Sequence, residues 1–123
     1  MRYGGGEGLA AMLIFMIDEQ GRIRIGLFVR AAMGWTGLSG PRIEAGGRVS
    51  RATVDRVKRG DPKVSDTMLR ALGDTLGLPR DYLLYVGSGD ERQIEKSGAD
   101  PDLIRVTLDM IRESNPQRGR RRS

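Results

Sequence analysis

The chain has no cysteine and no histidine. The first absence excludes disulfides, thiol catalysis and cysteine-ligated zinc, and it suits a reducing cytosol. The second removes the commonest general base and the commonest metal ligand. Hydrolytic chemistry would then need paired carboxylates in a cleft, and the Asp and Glu residues are scattered along the chain. No enzyme, catalytic residue, metal or cofactor is therefore expected. Aromatic residues are 5% of the chain, so aliphatic side chains must fill the core. Long apolar runs are missing too. The longest, Leu9 to Ile17, has nine residues, about half a membrane span. Asp18-Glu19-Gln20 follows it where a secretory signal would carry a small-residue cleavage site. A cytoplasmic protein without a membrane partner is expected.

The 123 residues support one small domain with an appended element. The net charge of +5 is unevenly spread. Between Gly40 and Gly60, Arg42, Arg48, Arg51, Arg56, Lys58 and Arg59 face only Glu44 and Asp55, a local balance of +4. Arg118, Arg120, Arg121 and Arg122 add a second focus of +4, which leaves −3 for the rest. Two basic foci on a slightly acidic body point to a polyanionic partner; the alternative is a solvated basic face.

The pattern of the chain is all-α. "MRYGGGEG" is too glycine-rich to order itself, and it lacks the Gly-Lys-Ser/Thr ending of a phosphate loop. Residues 9–20 suit either a helix, which Leu, Ala and Met favour, or a buried strand turning at Asp18 to Gly21. From Ile23 to Met33 the apolar positions 25, 28, 29, 32 and 33 form a helical stripe, stopped by Gly34 and Gly37. Ser39 or Gly40 with Pro41 opens a short helix, and Gly46-Gly47 closes it. Ser50 caps the next helix, with Val54 and Val57 inward and Gly60 as its stop. Ser65 caps another, which puts Met68, Leu69, Leu72 and Leu76 on one face. A last short helix is expected from Pro79. The predicted organisation is an N-terminal extension 1–22, a five-helix domain 23–86, a polar linker 87–99, an amphipathic helix 100–114 capped by Asp100, and a basic disordered tail 115–123.

Three stretches in this order carry a resemblance. "IGLFVRAAMGWTGLS" (25–39), "VSRATVDRVKRG" (49–60) and "SDTMLRALGDTLGLPRDYLL" (65–84) together resemble the Cro/Xre-type helix-turn-helix domain of phage repressors and bacterial regulators. The resemblance covers about half of the chain. It implies a five-helix lambda-repressor-like fold whose third helix, 50–59, enters the DNA major groove. Two positions depart from the pattern. Glu44 stands where the family has a small residue at the crossing of helices two and three. Arg48 stands where the family has the turn glycine, with Gly47 one residue earlier. Either Arg48 takes a positive φ, at about 1 kcal/mol, or the turn slides onto Gly47 and helix two shortens.

A helix seated in a groove about 12 Å wide needs small or hydrogen-bonding side chains outward. Arg51, Ala52, Asp55 and Arg56 are assigned to base readout, because the N-terminal part of such a helix meets the base edges. Ser50, Thr53, Lys58, Arg59 and Arg42 are assigned to phosphates. The alternative for Asp55 is an intrahelical pair with Arg51 or Arg59. Trp35, Tyr82 and Tyr85 are expected to pack the domain, which leaves no aromatic platform for single-stranded RNA.

The partner implied is a double-stranded DNA operator, bound by a homodimer on two half-sites. The dimer would form through 101–113 or 9–17; alternatively, the 101–113 face packs on its own domain. The tail arginines are expected to clamp the phosphate backbone without sequence preference. A transcriptional repressor, similar to a phage immunity repressor, is the expected function. The alternative is an antitoxin that covers a toxin partner with helix 101–113 and represses its own operon.

Overall fold

The computed structural model describes residues 17–114. Most of the apolar run 9–17 and the whole basic tail 115–123 lie outside that range. The described residues form seven α-helices and no strand. These are α1 (Glu19–Thr36), α2 (Gly40–Ala45), α3 (Arg51–Arg59), α4 (Asp66–Thr75), α5 (Tyr82–Ser88), α6 (Glu91–Glu95) and α7 (Pro101–Glu113). None is long and apolar enough to cross a membrane.

α1 is the central element, packed against α3 and α5 with α7 behind. Its predicted stripe is the buried face: Ile25, Phe28, Val29, Ala32 and Met33 all lie in the core. They meet Val54 and Val57 of α3, Leu69 and Leu72 of α4, and Leu83, Leu84 and Val86 of α5 in one cluster. Each such aliphatic side chain contributes about 1.5–3 kcal/mol when fully buried. Two glycines let α1 come this close. A Cβ on Gly26 would stand 2.7 Å from the Lys58 carbonyl oxygen of α3. One on Gly21 would collide with the Gly87 carbonyl oxygen of α5.

Several features differ from the sequence-based expectation. The first helix begins at Glu19 rather than near Ile23, so the extension does not reach residue 22. The Asp18 carboxylate caps it by accepting the Gly21 N–H at 2.8 Å. The helix also runs through Gly34 and ends only at Gly37, whose φ of 71° is left-handed. Periodicity hid the early start because the buried positions there are Gly21 and Arg24, which do not read as apolar.

The polar stretch 87–99 is not a linker. α5 extends to Ser88, and α6 follows, capped by the Asp90 carboxylate on the Gln93 N–H. Ile94 of α6 is completely buried. A five-residue helix is too short to show a period, so its only traces in the sequence were the Asp90 cap and the single apolar Ile94.

α7 turns its apolar face inward. Leu108 and Ile111 are buried in the common core. The buried hydroxyls of Tyr82 and Thr107 meet at 2.7 Å. Arg112 pairs with Glu91 of α6 at 3.1 Å. Arg24 closes the set from α1: its guanidinium donates to the carbonyls of Val86 and Gly87 at 2.7 and 2.9 Å and to the Ser114 hydroxyl at 2.5 Å. Burial lowers the Arg24 pKa, and the Asp18 charge opposes that only in part.

α5 starts at Tyr82, later than the expected Pro79. Asp81 ahead of it has a φ of 65°, and its carboxylate takes a 2.7 Å hydrogen bond from Arg70 Nε. Trp35 is the aromatic that departs from the expectation. Its ring and that of Phe28 stand nearly perpendicular, with centroids 6.0 Å apart, yet it remains 53% exposed. Tyr82 is buried as expected, and Tyr85 half-buried.

Candidate nucleic-acid interface

The basic stretch 40–60 folds into α2, a tight turn and α3. Ser39 caps α2 by accepting the Arg42 N–H at 3.3 Å, and Pro41 occupies its first turn. α2 stops after six residues. Gly46 keeps right-handed geometry with a φ of −71°, and Gly47 takes the left-handed turn at 81°. Arg48 has no positive φ. Of the two expectations for this turn, the slide onto Gly47 with a shortened α2 is therefore the one found. The physical reason is the absence of a Cβ at Gly47, which lets it take that angle without steric cost. Arg48 instead reaches across to Asp74 of α4 at 3.1 Å.

Val54 and Val57 bury the inner face of α3, and Val49 is buried just ahead of its cap. Arg51, Ala52, Asp55, Arg56 and Arg59 lie exposed on its outer side, with Lys58 half-buried and Arg42 exposed on α2. Arg42, Arg51 and Arg56 enter no ion pair among the described residues, and Asp55 pairs with neither Arg51 nor Arg59. Arg59 turns instead to Asp61 just beyond the helix, at 3.8 Å.

Two of the assigned phosphate donors are otherwise engaged. Ser50 accepts the Thr53 N–H at 3.1 Å and donates its hydroxyl to Thr53 Oγ1 at 3.0 Å. Thr53 is 8% exposed. Both side chains serve the cap, because the first N–H groups of a helix have no partner within it.

Glu44 is the residue that sequence reasoning did not place in this site. Its carboxylate accepts the Arg51 backbone N–H at 3.2 Å and so ties α2 to the first turn of α3. The Arg51 side chain runs beside Gly40, where an added Cβ would lie 3.6 Å from Arg51 Cγ. The signal was present: Glu44 is the one acidic side chain between Gly40 and Val54, and a helix N-terminus attracts one.

Comparison with known proteins finds no family model, curated protein or solved structure that matches this chain.

The remaining chemistry of the described residues is sparse. They hold no cluster of three or more potential metal-ligating acidic side chains. A cavity of about 160 Å³ lies at the far end of α3, between Ile17, Ile25, Val57 and Leu69. Ligand pockets are larger, roughly 300–1,000 Å³. The arginine-bearing face, by contrast, is exposed and cationic, and the guanidinium groups of Arg42, Arg51 and Arg56 enter no ion pair among the described residues and can donate to an anionic surface.

Proposed function

We propose that the protein binds double-stranded DNA sequence-specifically and represses transcription, with α2 and α3 as a helix-turn-helix unit and α3 in the major groove. The observation that carries this reading is the division of α3. Its valines fill the core, while Arg51 and Arg56, with Arg42 beside them, stand exposed and enter no ion pair among the described residues. Arginine can take guanine O6 and N7 together, and Ala52 can meet a thymine methyl. Arg42, Lys58 and Arg59 are then the phosphate donors. Ser50 and Thr53 support the helix start instead. Repression requires only occupancy of a promoter, which a binding face can supply. A bacterial cytosol is the location that this reading implies.

The resemblance to Cro/Xre-type regulators supports the reading through the order of α1 to α5 and the tight turn at Gly47. The antitoxin alternative asks for apolar surface on α7. Leu108 and Ile111 are turned into the chain's own core, so that alternative has less support.

Selection from a random duplex pool tests the proposal and should return a defined consensus. Arg51→Ala and Arg56→Ala should each cost about 1–3 kcal/mol on that consensus and relax preference at one position. Retention of the wild-type preference by both variants would refute the assignment of α3 to base reading.

A further inference from the structure

α1 buries one face and leaves the opposite one open. Ile23 and Leu27 on that face are 46% and 55% exposed; Trp35 is the only other large apolar side chain so exposed among the described residues. At 3.6 residues per turn, Glu19, Ile23, Leu27, Arg30 and Gly34 fall within about 80° of one another around the helix. Glu19 and Arg30 are exposed, and neither enters an ion pair among the described residues. A Cβ added at Gly34 would meet nothing within 4 Å, so the face is open along its length.

The order along this stripe is acid, apolar, apolar, base. Such an order is complementary to itself in one sense only. Placed parallel, two copies would set like charges together. Placed antiparallel, each Glu19 meets the other copy's Arg30 while each Ile23 meets the other copy's Leu27. The midpoint of Glu19 and Arg30 coincides with that of Ile23 and Leu27 to within about half a residue, so one two-fold axis satisfies both pairings. The two charged groups are about 16 Å apart along the helix, with the apolar pair between them.

We infer that the outer face of α1 is an isologous interface with a second copy of this chain, closed by two Glu19–Arg30 ion pairs around an Ile23–Leu27 centre. The chain's own apolar segment 9–16 is a rival occupant, but it carries no charge to answer Glu19 or Arg30. The inference does not depend on the DNA reading.

Equilibrium sedimentation of the full chain without DNA, at low salt and over a concentration series, tests it. The wild type should dimerise reversibly. Leu27→Asp should raise the dimer dissociation constant about tenfold or more, since a charge would enter the apolar centre. Because Leu27 is exposed, the variant's thermal melt at concentrations too low for the wild type to dimerise should stay near wild type. Glu19→Arg and Arg30→Glu should each raise the constant by roughly tenfold, since each reversal sets like charges against each other at both ends of the interface. The double reversal should recover most of the loss. A wild type that stays monomeric, as it would with segment 9–16 on the face, would overturn the inference. So would a dimer indifferent to Leu27→Asp, or a double reversal as weak as the singles. None of these outcomes bears on whether α3 reads DNA.

Discussion

Glu44 places a negative charge beside the arginines assigned to DNA. Its hydrogen bond to the Arg51 N–H supports the start of α3, while its charge opposes an approaching phosphate backbone. These two effects separate in Glu44→Gln, which keeps an acceptor and loses the charge. The variant should bind all duplexes a few-fold more tightly at low salt, with little change in melting temperature; fluorescence anisotropy on specific and random duplexes checks this. Weaker binding to the consensus alone would mean that the carboxylate contacts a base. Tyr82 shows the same logic in the core. Burial pushes its phenol above the ordinary value, and the Thr107 hydrogen bond offsets this in part. A raised folded value favours the neutral phenol, so its contribution is whole below the unfolded value of about 10 and is lost as pH rises through the folded one. Tyr82→Phe should cost about 1 kcal/mol at neutral pH and should flatten the loss of stability above about pH 10. Thermal melts monitored by circular dichroism from pH 7 to pH 11 measure both. At this scale the sequence showed which residues were charged or hydroxylated. It did not show that Ser50 and Thr53 satisfy each other, because that depends on where the first turn of α3 begins.

At the scale of the element, two of the three glycines of α1 have opposite roles. Gly26 faces the α3 backbone, and a methyl group there has no room. Gly26→Ala should destabilise the fold by about 1–3 kcal/mol, because backbone rather than a flexible side chain must give way. Gly34 faces open space. Gly34→Ala should instead stabilise by about 0.5–1 kcal/mol, the ordinary helix preference for alanine. Chemical denaturation of the two variants side by side decides the pair. The apolar stripe of α1, the caps at Ser39, Ser50, Ser65 and Asp100, and the stop at Gly60 were legible in the sequence, since each is a local choice. α6 was not. Its formation rests on Ile94 finding the core and on Glu91 finding Arg112, partners outside the segment itself.

For the whole molecule, charge and closure matter most. α7 is drawn back onto the body by Arg24, Tyr82 and Glu91, contributed by α1, α5 and α6. That closure takes Leu108 and Ile111 from the surface and moves the open apolar face to α1. On the proposed DNA reading, the basic residues between Arg118 and Arg122 bear on affinity rather than specificity. Deleting residues 117–123 removes four arginines. It should weaken all duplexes to a similar degree and reduce the salt slope of binding, by about 0.9 for each phosphate no longer neutralised. Titrations between low and moderate salt measure this. A deletion that altered sequence preference would contradict the backbone-clamp role.

Composition and pattern by themselves determined the all-helical character of the described residues, the valine face of α3 and the clustering of positive charge around it. These follow from local rules: helical periodicity, capping, and the reluctance of arginine to be buried without a partner. Tertiary structure decided what depends on distant partners. It set the turn on Gly47 while Arg48 was drawn to Asp74, took Arg24 into the interior, and turned the polar stretch before α7 into a helix. It also left Trp35 and the outer face of α1 in the open. Periodicity marks a face as apolar, but which surface covers it is settled only when every helix competes for the same core.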